Sequence, residues 1–239
     1  MEQNVKPFDK FFSGNHLILG EAGSGKTKLI WSILQDKDYV KENSINIVLT
    51  DSEKRMWEGS RQNPVTIVNP YHSDISWATN PSKPGVYYCA CGYVPRIITF
   101  LECLATWAIQ NEKNIEPKVR VIIDVSSKTW ALPEFTEQVN RLHFIASGQD
   151  ENPSIEIWAA LGSLKKLSDQ AKSIFASINL VLLDPISPSW INEIKDTVGM
   201  KCDSLQAKLA EIKVEGEKGY YYAPCNGCDL YFQPQNNKC

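Results

Sequence analysis

Eight residues near the start of the chain, Gly20, Glu21, Ala22, Gly23, Ser24, Gly25, Lys26 and Thr27, read G-x-x-x-x-G-K-T, and no other feature limits the fold as much. Glycines let the backbone turn so that successive amide N–H groups point into one concavity. With the N-terminus of a following helix, that concavity holds phosphate oxygens. The lysine neutralises charge near the β and γ phosphates, and the final hydroxyl is a magnesium ligand. The mechanism needs a strand before the loop and a helix after it. Residues 15–19 (NHLIL) form an apolar run stopped by Gly20, and residues 26–34 (KTKLIWSIL) carry an apolar helical face. All eight loop residues are therefore candidates for binding ATP, with Lys26 also a catalytic candidate and Thr27 a candidate magnesium ligand.

Downstream, apolar runs recur at 45–49, 65–68, 86–90 (VYYCA), 119–125 (VRVIIDV), 155–160 and 178–183. Between them, 95–111 (PRIITFLECLATWAIQN) keeps a helical period through Ile98, Leu101, Cys103, Leu104, Trp107 and Ala108, PEFTEQVNRLHFIA follows Leu132, and a further helix is expected from Ser163. Strands apolar on both faces, alternating with helices, predict an α/β fold with a mostly parallel sheet covered on both sides. Residues 1–187 form the expected nucleotide-binding domain. Residues 188–239 read as an appendage of two short helices (188–213) and a hairpin (GYYYA, CNGC, DLYF), packed on the same domain.

Of 239 residues, 43% are apolar and 22% charged, which excludes disorder, and 25 basic against 28 acidic residues give a formal charge of −3. No global field draws such a chain to DNA or an anionic membrane, so any DNA contact needs a local patch. No apolar stretch approaches the roughly 20 residues that span a bilayer, and MEQNVKPFDKFF lacks an apolar signal core. A cytoplasmic protein is expected. The seven cysteines, an odd number without a repeating framework, agree with a reducing compartment.

Magnesium also calls for an acidic residue at the end of a neighbouring strand. Asp124 closes VRVIID, in which four of the five preceding residues are Val or Ile; Asp51 and Asp184 are the competing positions. Asp124 is the preferred Walker B residue, metal ligand and catalytic candidate.

With the loop LILGEAGSGKT, the strand VRVIID, a helix, the strand WAAL and a final strand INLVLL in this order, residues 14–185 resemble the FtsK–HerA group of additional-strand P-loop ATPases. That group pumps DNA and includes conjugation coupling proteins and the small packaging ATPases of some viruses. The resemblance implies ATP hydrolysis with Mg2+, DNA as a partner and a homo-oligomeric ring, for which Arg96 and Arg141 are candidate trans-acting fingers. It also implies that the strand 155–160 lies between the loop strand and the Asp124 strand, with a sensor beside the γ phosphate. Ser163 is the first polar group there and the candidate sensor, although the N-cap of the helix that follows is the preferred reading of it.

One departure concerns turnover. Many additional-strand ATPases follow the Walker B Asp with a Glu that polarises the attacking water, but here Val125 follows. Hydrolysis then depends on a carboxylate elsewhere, with Asp51, Glu53, Glu134 and Glu137 as candidates, or is slow. A Glu introduced at 125 would face the γ phosphate unless strand alternation turns that position into the packing layer. The second function class is accordingly a nucleotide-gated regulatory or assembly protein with weak or no hydrolysis and no motor activity.

A GTPase would need an N-K-x-D base-reading motif, which is absent, and the five arginines are too scattered for a small-molecule kinase lid. Cys225 and Cys228 form a C-x-x-C that reads as a hairpin turn at Asn226–Gly227 or, with Cys89 and Cys91, as a thiolate metal site of poor spacing. Tyr220, Tyr221, Tyr222, Tyr231 and Phe232 read as an edge hairpin packed on the core rather than a base-stacking platform, because only Lys218 lies near them.

Overall fold

Runs of Val, Ile and Leu that are apolar on both sides are satisfied only between two covering layers. In the computed structural model they form the parallel part of a nine-stranded sheet. The structure describes residues 14–35, 44–52, 65–68, 83–111, 118–147, 155–165, 167–175, 178–183, 186, 188–198, 207, 209, 219–223 and 231–234. Its strands are β1 (His16–Leu19), β2 (Ser44–Thr50), β3 (Val65–Ile67), β4 (Gly85–Ala90), β5 (Lys118–Ile123), β6 (Ile155–Leu161), β7 (Asn179–Leu183), β8 (Gly219–Ala223) and β9 (Tyr231–Pro234). The helices are α1 (Lys26–Gln35), α2 (Val94–Gln110), α3 (Ser127–Trp130), α4 (Pro133–Ser147), α5 (Asp169–Ile174) and α6 (Pro188–Val198).

Across the sheet the order is β3-β4-β2-β5-β6-β1-β7-β8-β9. The first seven of these run parallel, and β8 and β9 add to the edge antiparallel. β6 thus lies between β1, which feeds the loop, and β5, which feeds Asp124, as the resemblance implied.

Strand alternation divides the core in two. On one face α1 lays Leu29, Ile30, Ile33 and Leu34 against Ile18, Val48, Ile122 and Val181. On the other, Phe100 and Leu104 of α2, Phe135 and Leu142 of α4, Ile174 of α5 and Ile194 of α6 cover Leu17, Ile47, Val121, Ile157 and Leu182. Each such side chain contributes roughly 1.5–3 kcal/mol of burial free energy. The buried face of α2 is rotated from its expected phase: Ile97 and Phe100 are fully covered, whereas Ile98 and Cys103 sit at the margin. Pro95 in the first turn sets the start of this helix.

Polar groups cluster at the amino ends of the strands on the α1 face. Cross-strand register brings Asn46 beside Arg120 and Arg120 beside Glu156. Arg120 Nε donates to Glu156 Oε2 (2.6 Å), and Lys118 Nζ (2.7 Å) and the Gly14 amide (2.7 Å) meet Oε1. Glu156 is fully buried, so three donors replace its water.

The helix expected from Ser163 begins instead at Asp169, because Ser168 caps it by accepting the Ala171 amide (3.1 Å). Ahead of it the chain is held by Glu193 of α6, whose Oε2 accepts the Leu164 amide (3.3 Å). The hairpin continues the sheet, β8 pairing with β7, and Trp190, Ile194 and Tyr221 join the larger core. Glu53, Asp184, most of the stretch expected to hold the second tail helix, and the Cys225–Cys228 pair with its turn lie outside the described residues. Among the described residues no helix is long and apolar enough to cross a membrane.

Candidate nucleotide-binding site

The loop from Gly20 to Thr27 leaves the carboxyl end of β1 and enters α1. Gly20 is tied to β6 by its amide, which donates to Leu161 O (3.1 Å), and the turn inside the loop closes through Ser24 N to Glu21 O (3.1 Å). Gly23 and Gly25 hold φ of 81° and 97°. This left-handed backbone is costly for any residue with a Cβ, which explains glycine at these two places. The first amides of α1 then face the loop with no carbonyl one turn back, and Leu29 N donates to Gly25 O (2.8 Å) where the loop passes into the helix.

Lys26 Nζ donates to Gly20 O (2.6 Å) and Glu21 O (2.9 Å), so its ammonium is folded over the mouth of the loop. Burial lowers its pKa from the ordinary lysine value, while the Asp124 charge works in the opposite direction. Ser24 Oγ is buried without a hydrogen-bond partner. A buried hydroxyl left unpaired costs about 1–3 kcal/mol, and an anion in the concavity would relieve that cost. The loop's chemistry therefore fits a phosphate group.

Thr27 Oγ1 donates to Asp124 Oδ2 (2.7 Å) across the space between the loop and the end of β5. The Asp124 amide is anchored to Leu49 O of β2 (2.9 Å). Burial pushes the Asp124 carboxyl up from its ordinary value; the Thr27 hydrogen bond and Lys26 oppose this, and Asp51 adds to it. A hydroxyl and a poorly solvated carboxylate within 2.7 Å are the hard oxygen donors that Mg2+ takes, with substrate phosphates and waters supplying the rest. Among the described residues no group of three His, Cys, Asp or Glu side chains gathers as a dedicated metal cage.

Asp51, just past β2, lies on the far side of β5 from the loop. Its Oδ2 accepts from Ser126 N (2.9 Å), Ser126 Oγ (2.6 Å) and Thr129 Oγ1 (2.6 Å). Ser126 and Thr129 escaped the sequence reading. Their signal was a Ser after a strand end with a Thr three residues on, an N-cap pattern that α3 uses. Val125 is 6% exposed and belongs to the larger core. Alternation has therefore turned this position into the packing layer, and the expectation that a Glu at 125 would face the γ phosphate is corrected: its carboxylate would be buried among apolar side chains.

Ser163 stands two residues beyond the end of β6, where its Oγ accepts the Lys165 amide (3.2 Å); it does not cap a helix. Glu134 is exposed in the first turn of α4. Arg96 is exposed at the start of α2, while Arg141 is held by Gln138 Oε1 (2.7 Å) and Thr106 Oγ1 (3.4 Å) between α4 and α2. Cys89 and Cys91 lie in the core, and burial, with Cys91 adding to it, pushes the Cys89 thiol up to about 12, a protonated sulfur at neutral pH.

No protein-family model and no curated protein sequence matches the chain. Solved structures do match. One is the genome-packaging NTPase B204 from Sulfolobus turreted icosahedral virus 2 in complex with ATP-gammaS, at 13% identity and a TM-score of 0.59, covering 93% of this chain and 98% of that one. The same NTPase in complex with AMPPCP matches at 12% identity and a TM-score of 0.57. Another is B204, the DNA-packaging ATPase from Sulfolobus turreted icosahedral virus, at 14% identity and a TM-score of 0.56, again covering 93% and 98%. The fold is that of a P-loop NTPase. At such identities the likeness is one of fold.

Proposed function

We propose that the chain binds ATP with Mg2+ and hydrolyses it as a genome-packaging type of NTPase, the FtsK–HerA-like group being the subgroup it fits. The observation that carries the nucleotide reading is the Thr27–Asp124 contact beside the Lys26 ammonium. It unites the loop strand, the helix and the strand two places away in the sheet at one point. Loop amides and Lys26 would bind the β and γ phosphates, and Thr27 and Asp124 would hold Mg2+, which when bound neutralises charge on those phosphates. The packaging type is supported by the likeness to B204 over nearly the whole of both chains. DNA is then the polymer moved and a ring of copies the working form.

A DNA motor hydrolyses ATP faster when its track is present. Phosphate release is therefore expected to rise several-fold on adding duplex DNA, with oligomers forming in ATP and Mg2+ in sedimentation runs. A monomer whose turnover is indifferent to DNA would end the motor reading and leave the nucleotide-gated regulator.

A further inference from the structure

Hydrolysis needs a group that aims the attacking water, and the usual position is filled here by a buried valine. A carboxylate just past the neighbouring strand β2 bonds to that turn. Asp51 Oδ2 accepts the amide of Ser126, the residue directly after Val125, and two hydroxyls besides. Three donors on one oxygen lock the rotamer. The other oxygen, Oδ1, has no hydrogen bond among the described residues. Ser126, to which Asp51 is bonded, stands two residues after Asp124, so both carboxylates lie at the same end of the sheet. Glu134 is exposed and joined to neither Asp124 nor the loop, and the Ser163 hydroxyl is occupied by a backbone amide.

We propose that Asp51, fixed by Ser126 and Thr129, supplies the carboxylate oxygen that orients the attacking water in place of a Glu after Asp124. This rests on the ATP-hydrolysing reading above. Oδ1 accepts a hydrogen bond from the water as the water oxygen bonds to the γ phosphorus and the bond to the bridging oxygen breaks. The water's proton passes by way of Oδ1 to a phosphate oxygen, and ADP and inorganic phosphate leave.

The test compares wild type with Asp51→Asn, which keeps an acceptor for the three donors, and with Glu134→Gln. ATP affinity is read by calorimetry, folding by thermal unfolding and turnover by phosphate release. Asp51→Asn is expected to bind ATP within about threefold of wild type and to lose about 100-fold or more in turnover. Glu134→Gln should turn over as wild type does. Should Asp51→Asn fail to fold, Ser126→Ala/Thr129→Val keeps the carboxylate while removing two of its three donors together with the side-chain cap of α3, and a fall in kcat with KM unchanged is expected. Turnover in Asp51→Asn within twofold of wild type, or an unchanged kcat in the double variant, would overturn the inference. Wild-type protein that binds ATP and releases no phosphate would overturn it while nucleotide binding stands; no binding at all would remove the reading beneath it.

Discussion

Asp124 is a carboxylate whose surroundings work against its charge. Burial raises its pKa more than Thr27 and Lys26 lower it, so the folded chain holds the proton more tightly than the unfolded chain does. Stability linked to this group is then fully present below the ordinary carboxylate range and is lost as pH rises through the raised pKa. Asp124→Asn removes that loss and keeps an acceptor for the Thr27 hydroxyl. The expected outcome is a higher Tm than wild type at pH 7 to 8, with the difference shrinking as pH falls toward the ordinary carboxylate range, read by thermal unfolding across pH; each kcal/mol corresponds to about 2–4 °C in a chain of this size. A difference independent of pH would assign the effect to packing. The loop, Lys26, Thr27 and Asp124 were legible in the sequence because their spacing and the β-branched run before Asp124 each carry a mechanism. The Asp51–Ser126–Thr129 bonds were not, since they join residues 75 or more positions apart through a register that only the folded sheet sets.

At the level of elements, the pairing of β5 with β6 encloses an ion pair that no apolar pattern reveals. The runs around Arg120 and Glu156 look like buried strands, and the two charges read there as interruptions. In the sheet they face each other and Glu156 receives Lys118, Arg120 and the Gly14 amide. Glu156→Ala leaves those cations without their carboxylate, and a loss of about 3–5 kcal/mol in urea unfolding is expected. Arg120→Met/Glu156→Leu should recover much of that loss, because removing both charges removes both desolvation penalties. A double variant as unstable as the single one would contradict this account. The start of α5 shows the same limit of local pattern: Ser163 and Ser168 are equally good caps by residue type, and in the fold Ser168 caps α5 while Glu193 of α6 holds the Leu164 amide.

Across the whole molecule, the strand order sets the chemistry. Inserting β6 between β1 and β5 separates the loop from Asp124 by one strand, and Thr27, the second residue of α1, reaches back over that gap. The alternation of apolar runs made the parallel sheet legible, and the tail's continuation of that sheet was less so, since pairing of β8 with β7 is a choice of edge that local pattern leaves open. The measurement that tests the central claim most directly is calorimetric titration of ATP with Mg2+ into wild type and Lys26→Ala. Among the described residues, the Lys26 ammonium bonds only to carbonyls of its own loop. The variant should therefore unfold at nearly the wild-type temperature yet bind ATP about 100-fold or more weakly, the loss of roughly 3 kcal/mol from charged hydrogen bonds. Equal affinity in the two proteins would contradict the assignment of the loop as the nucleotide site.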